Sequence, residues 1–216
     1  MANVFYRDFT PVANFKNAKR PNYSECLKYF KSFLSNFSIF SAEDLENLDK
    51  YWEFCVMKKN DGIVMPGEIC SHIVFICKGA VKHFTGGPES PYIIEFATSC
   101  NFSTAVRSFL GQIKAVNGFV CAQDVYGLKI SRYNYDQLIK DRPAFEKLLH
   151  LINDKANENI LIRLTAFQSM DAKGRYELML SQYPDIYENF SMQDISNYLG
   201  IKAETLSRLK KEVKMQ

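Results

Sequence analysis

Apolar and polar positions divide the chain into three stretches with different periods. From Ser24 to about Met57 the spacing is helical, with Leu27, Phe30, Leu34 and Phe37 on one face. Ser41, followed three residues later by Asp44, predicts a second helical start, since each side chain can satisfy an orphan amide of a first turn. Leu45 and Leu48 continue that segment. From about Lys58 to Ser131 the period shortens. The runs Ile73–Cys77, Ala80–Phe84, Tyr92–Ala97, Phe119–Ala122 and Tyr126–Ile130 are set off by Asp61-Gly62, Pro66-Gly67, Lys78-Gly79, Gly86-Gly87-Pro88 and Asn117-Gly118. Close-set strands with glycine-bearing turns predict a small barrel or sandwich built from hairpins, with Ser103–Leu110 as a short helix inside it.

Helical spacing returns at Tyr133. A short helix over Tyr133–Lys140 ends before Asp141-Arg142-Pro143, and Pro143 suits the first turn of the next helix. That next segment runs to about Ser169 without glycine or proline. Phe145, Leu148, Leu149, Ile152, Ala156, Ile160, Leu164 and Phe167 make one continuous stripe along it. A helix of ~25 residues is ~38 Å long, more than a small roll can cover. Part of the stripe therefore needs another partner, and a second copy of the same helix is the economical one.

The sharpest signal lies in Ser191–Val213. Ser191 and Asp194 form a capping-box-like start, and Ile195, Tyr198 and Leu199 give the first helix its inner face. Ser196 is small enough to let a second helix cross closely. Gly200 stands where the chain must turn with positive φ, Ile201 plugs the turn, and Leu206, Leu209 and Val213 form the inner face of a second helix. Lys202, Ala203, Glu204, Thr205, Ser207, Arg208 and Lys211 are left outside. These residue types read base edges and clamp phosphates in a major groove.

Composition narrows the field. The chain has 216 residues, 47% hydrophobic and 24% charged, which is the balance of an ordinary globular protein with a substantial core. No apolar run approaches the ~20 residues of a membrane span, and residues 1–20 carry Arg7, Asp8, Lys16, Lys19 and Arg20 rather than a secretory signal. Cys26, Cys55, Cys70, Cys77, Cys100 and Cys121 are scattered, with no tight pair to aim two sulfurs at one ion. Reduced thiols, a cytoplasmic location and no metal or other cofactor are expected. The net charge of +3 says little by itself. Its concentration near Lys202, Arg208, Lys210, Lys211 and Lys214, opposed by Glu204 and Glu212, suits phosphates.

Taken in order, a glycine-punctuated roll, a long helix and a C-terminal helix-turn-helix resemble the catabolite-activator (Crp/Fnr) superfamily over roughly Ser24–Val213. Gly62–Glu68 and Ile73–Gly79 are similar to its roll signature. Lys173-Gly174-Arg175 stands where its DNA domain begins, and Ala203–Arg208 resembles its recognition-helix core, with Glu204, Thr205 and Arg208 facing DNA. The resemblance implies an α+β chain: a lead-in at 1–23, a jelly-roll-like antiparallel sensor domain at 24–142, a dimerisation helix at 143–170 and an all-α DNA-binding domain at 171–216. It also implies a homodimer on palindromic double-stranded DNA, with RNA polymerase and a small-molecule effector as further partners.

The chain departs from that pattern inside the roll. Members that bind cyclic AMP hold the ribose with the Glu of a Gly-Glu-Leu segment, the phosphate with an Arg-Ser pair and the adenine with a Thr-Ser pair on the long helix. Here Ser103-Thr104-Ala105 replaces the acid, Lys114 is the nearest base beyond Gly111, and Ile160-Leu161 match the Thr-Ser pair. A buried phosphate without a guanidinium is poorly compensated. The expected effector pocket, Phe102, Ser103, Thr104, Arg107, Lys114, Ile160 and Leu161, is therefore not one for cyclic AMP. His72, His83 and His150 stand in no context diagnostic of haem, and a cupin-type enzyme would need a metal-ligand cluster that the roll does not offer. No enzyme activity is expected. The family's β-hairpin wing is not expected either, because only Lys214-Met215-Gln216 follow Val213. The alternative reading is a ligand-sensing or protein-interaction module whose helix-turn-helix does not function.

Overall fold

The computed structural model describes residues 20–86 and 91–214, apart from the side chains of 213 and 214. Most of the expected lead-in (1–19), the Gly87-Pro88 part of one turn and the inner face of Val213 lie outside the described residues. The first helix, α1 (Tyr23–Leu34), starts at Asn22, whose side chain accepts from the Glu25 amide while Glu25 reaches back to the Asn22 amide. Its buried face, Cys26, Tyr29, Phe30, Phe33 and Leu34, covers the roll.

Helical spacing misled beyond that point. Ser41 and Asp44 do exchange the expected amide bonds, but they open only a 3-10 turn over Glu43–Leu45. Asn47, at φ 51°, breaks the path before a second such turn, Leu48–Lys50. Leucines three apart serve two tight turns as well as one helix. Glu53–Met57 is not helical at all. It is strand β1, because its backbone pairs with residues far along the chain.

The roll is two four-stranded antiparallel sheets. The first runs β1 (Glu53–Met57), β8 (Val125–Ser131), β3 (His72–Lys78) and β6 (Asn101–Ser103). The second runs β2 (Gly62–Val64), β7 (Gly118–Cys121), β4 (Val81–Thr85) and β5 (Tyr92–Ala97). α2 (Val106–Gly111) sits inside the roll, slightly later than expected, because residues 101–103 are taken by β6. Gly79 shows why one turn had to be glycine. Its φ is 115°, and a Cβ would lie 2.4 Å from the Asp124 carbonyl oxygen.

The first sheet packs an aromatic core under α1, where Phe75 lies 4.7 Å from Phe30 and 5.1 Å from both Phe33 and Phe102, ring centre to ring centre. Cys26, Cys77 and Cys100 are buried in this core and Cys55 lies on β1, and burial pushes the Cys55 and Cys100 thiols up to about 12 each.

The second sheet is covered on both faces. Val81, Ala97, Phe119 and Cys121 belong to the roll core, whereas Phe84, Ile93 and Phe96 join the core of the C-terminal helices. A bulge makes this possible. His83 pairs with Glu95 but Phe84 pairs with Ile93, so Ile94 is the extra residue. The bulge puts Ile93 and Phe96 on the outer face and leaves Glu95 beside His83 on the inner one.

After α3 (Arg132–Asp141), Pro143 caps α4 (Ala144–Ser169), a helix of 26 residues. The C-terminal helices are α5 (Ala172–Gln182), the single turn α6 (Ile186–Asn189), α7 (Met192–Leu199) and α8 (Ala203–Lys214). Phe96 reaches from β5 into their core, 4.2 Å from Phe190 and 5.0 Å from Tyr198. Among the described residues, no helix is long and apolar enough to cross a membrane.

Candidate nucleic-acid interface

The helix-turn-helix is built by local chemistry. The Ser191 hydroxyl accepts from the Asp194 amide at 3.1 Å, and the Asp194 carboxylate accepts from that hydroxyl at 2.7 Å. Ile195 and Leu199 are fully buried, and Ser196, 2% exposed, lets α8 approach. Gly200 turns the chain at φ 65°, its amide donating to Asn197 and the Ile201 amide to Ser196. A Cβ on Gly200 would also come within 2.9 Å of the Phe167 ring, so both φ and space select glycine. Leu206 and Leu209 anchor α8.

That anchoring leaves one side of α8 open. Lys202, Ala203, Glu204, Ser207, Arg208 and Lys211 are exposed and Thr205 is half-buried, so the residues singled out in the sequence share one outer face. Glu204 and Arg208 stand one turn apart on it. Arg208 Nε lies 3.9 Å from Glu212 with both side chains largely in water, a pairing too weak to keep the guanidinium from another partner. Lys210 is turned the other way, its ammonium 3.7 Å above the Tyr187 ring.

The expected effector residues do not converge. Phe102 belongs to the aromatic core and lines an apolar cleft between the roll and the start of α4, with Trp52, Ile73, Leu148 and Ile152. Thr104 is tied to the His72 carbonyl at 3.2 Å. Arg107 and Lys114 are exposed on the roll surface. Ile160 and Leu161 are 52% and 62% exposed on α4. Only Ser103, fully buried, points into the roll interior, and it meets protein there.

What it meets was not legible in the sequence. Ser103 Oγ lies 3.1 Å from Nε2 of His83, and His83 Nδ1 lies 2.8 Å from Glu95 Oε2. Glu95 Oε1 accepts from the Asn159 amide of α4 at 2.8 Å. The imidazole also packs on Phe119, 4.3 Å between ring centres. Burial alone raises the pKa of a carboxyl. Here the hydrogen bond and charge of His83, the Asn159 amide and the charge of Lys155 outweigh it, and Glu95 is held below its usual range. An ionised carboxylate only accepts, so Nδ1 of His83 carries the proton.

A second group of polar contacts fixes the helix-turn-helix on the roll. β5 is an edge strand, so the outward N–H and C=O of Ile93 need partners. Asn197 of α7 accepts from the Ile93 amide at 2.7 Å and donates to the Pro91 carbonyl at 2.9 Å. Arg163 of α4 donates 3.0 Å bonds to the carbonyls of Ile93 and Tyr198. Its guanidinium lies 4.9 Å from the rings of both Phe167 and Tyr198, and burial lowers its pKa. Lys82 adds a 2.7 Å ion pair to Asp194. An arginine within an apolar helical stripe was a visible signal; its partners were not.

This arrangement of roll, long helix and helix-turn-helix recurs in solved structures. FixK2 from Bradyrhizobium japonicum superposes with a TM-score of 0.67 at 15% identity, over 76% of this chain and 85% of its own. A transcriptional regulator of the Crp/Fnr family from Eubacterium rectale gives 0.59 at 12% identity, over 83% and 87%. The fold is that of Crp/Fnr-type regulators. CLP from Xanthomonas campestris, a c-di-GMP responsive global regulator, shares it with a TM-score of 0.63 at 14% identity, over 81% and 92%. No family model and no curated protein sequence matches the chain.

Proposed function

We propose that this chain is a sequence-specific DNA-binding transcription regulator that acts as a homodimer in the cytoplasm and does not use cyclic AMP. The observation that carries the reading is the outer face of α8. Lys202, Glu204, Ser207, Arg208 and Lys211 stand clear of the core, with Thr205 half-buried at the edge of the same face, on a helix held by Gly200 and Leu206. Such a helix offers hydrogen-bonding groups to base edges and cations to phosphates. Dimerisation is supported by Ile160, Leu161 and Leu164 of α4, each more than half exposed in the single chain. Two copies related by a two-fold axis would address half-sites about one helical turn apart, and RNA polymerase is the natural further partner of such a complex.

The roll interior supports the second part of the reading. Ser103, where an acid would hold a ribose, is bound to His83, and neither Arg107 nor Lys114 reaches the interior. Selection of bound duplexes from a random pool, followed by footprinting, tests the DNA reading. The expected result is a two-fold symmetric site protected by a dimer. Failure to bind any duplex at low salt would leave a sensing or interaction module instead. Calorimetry with cyclic AMP and with c-di-GMP tests the pocket, and no heat is expected from cyclic AMP.

A further inference from the structure

We propose that His83 takes the place of an effector, so that the Ser103–His83–Glu95–Asn159 chain is a permanent internal ligand fastening the long helix to the roll. The DNA-binding part of this inference rests on the function proposed above; the fastening itself does not. Four elements meet in the chain: β6 through Ser103, β4 through His83, β5 through Glu95 and α4 through Asn159. The Ser103–His83 contact crosses from one sheet to the other, and the Glu95–Asn159 contact leaves the roll for the helix. Every polar atom of the imidazole is engaged, as a bound heterocycle's would be.

The fastening extends to the helix-turn-helix through β5. Asn159 and Arg163 are one turn apart, and both grip this strand, Asn159 at the Glu95 side chain and Arg163 at the Ile93 carbonyl. Asn197 of α7 accepts from the N–H of the same residue, Ile93, on the side of the helix-turn-helix. The bulge at Ile94 is what lets one short strand hold His83 on its inner side and α7 on its outer side. A shift of Glu95 therefore moves the seat of both α4 and α7. With His83 in place that seat is always occupied, and the regulator holds its geometry without a small molecule.

The test is to turn the built-in ligand into an added one. His83→Ala leaves a space beside Glu95, Ser103 and Phe119 that free imidazole fits. The variant should bind the selected duplex about tenfold more weakly than the parent, the size of a typical coupling between sites. Amide exchange in α4 and α7 should be faster. Millimolar imidazole should restore both, and should change neither in the parent protein. Unchanged affinity and exchange in the variant, or losses that imidazole does not reverse, overturn the proposal. Should His83→Ala fail to fold, Asn159→Ala decides, since it leaves the buried Ser103–His83–Glu95 contacts intact and cuts only the link to α4. Faster exchange in α4 is then expected, and unchanged exchange overturns the proposal. If the parent binds no duplex, the function proposed above fails, while the exchange measurements still judge the fastening.

Discussion

The two halves of α4 carry the same apolar stripe but do different work. In the first half, Phe145, Leu148 and Leu149 are at most 5% exposed and lie against the roll core. In the second half, Ile160 and Leu164 of the stripe are 52% and 53% exposed and Leu161 beside them is 62% exposed, although the helix continues without a break to Ser169. The change falls where the polar grips begin, at Asn159 and Arg163. Where apolar packing can hold the helix, it does. Past the apolar contact with the roll core, hydrogen bonds to β5 hold one face, while Ile160, Leu161 and Leu164 turn outward. Periodicity therefore shows that a face is apolar without showing what covers it.

Mutations in the two halves should separate stability from assembly. Phe145→Ala empties a site packed 4.7 Å from the Phe40 ring and should cost about 3–5 kcal/mol of unfolding free energy. Urea denaturation measures it, and a loss below 1 kcal/mol would mean that the first half is not core. Leu161→Glu should leave the unfolding of the isolated chain nearly unchanged. In a dimer it puts a carboxylate into an apolar seam, at a cost of about 2 kcal/mol or more of association free energy. Sedimentation would then show monomer at concentrations where the parent is dimeric. A Leu161→Glu variant as dimeric as the parent would dismiss α4 as the interface.

The same contrast explains what could be read from the sequence. Features fixed by near neighbours were legible: the Ser191–Asp194 cap, the turn at Gly200 and the roll turn at Gly79. Each depends on one φ angle or one amide a few residues away. β1 was misread because its strand character comes from pairing with Val125–Lys129, which no local pattern reveals. The effector set failed for a related reason. The resemblance sets Ile160 and Leu161 where the family's Thr-Ser pair faces the roll, but on a helix each step rotates the side chain by about 100°, and the neighbour Asn159 is the one that arrives. His83 meets Glu95 only because a bulge sets the register, and Asn197 meets Ile93 across 104 residues.

The smaller effects belong to the open face of α8, whose residues the core leaves exposed. Arg208 and Lys211 are both exposed cations on that face, and a generic basic patch would make them equivalent. In the proposed complex with DNA the two have different tasks. Arg208 stands one turn after Glu204 near the middle of the helix, where a guanidinium can bond a guanine edge bidentately while Glu204 accepts from a cytosine amine. Arg208→Ala should cost about 1–3 kcal/mol on the selected duplex and relax the preference at one base position. Lys211, nearer the end of the helix, is assigned to phosphate in that proposal. Lys211→Ala should weaken all duplexes alike and reduce the slope of log affinity against log salt by about one unit. Anisotropy titrations of both variants, on selected and scrambled duplexes at several salt concentrations, measure the contrast. Equal losses on both duplexes for Arg208→Ala would remove Arg208 from base reading and leave sequence choice to Glu204, Thr205 and Ser207, or to DNA shape.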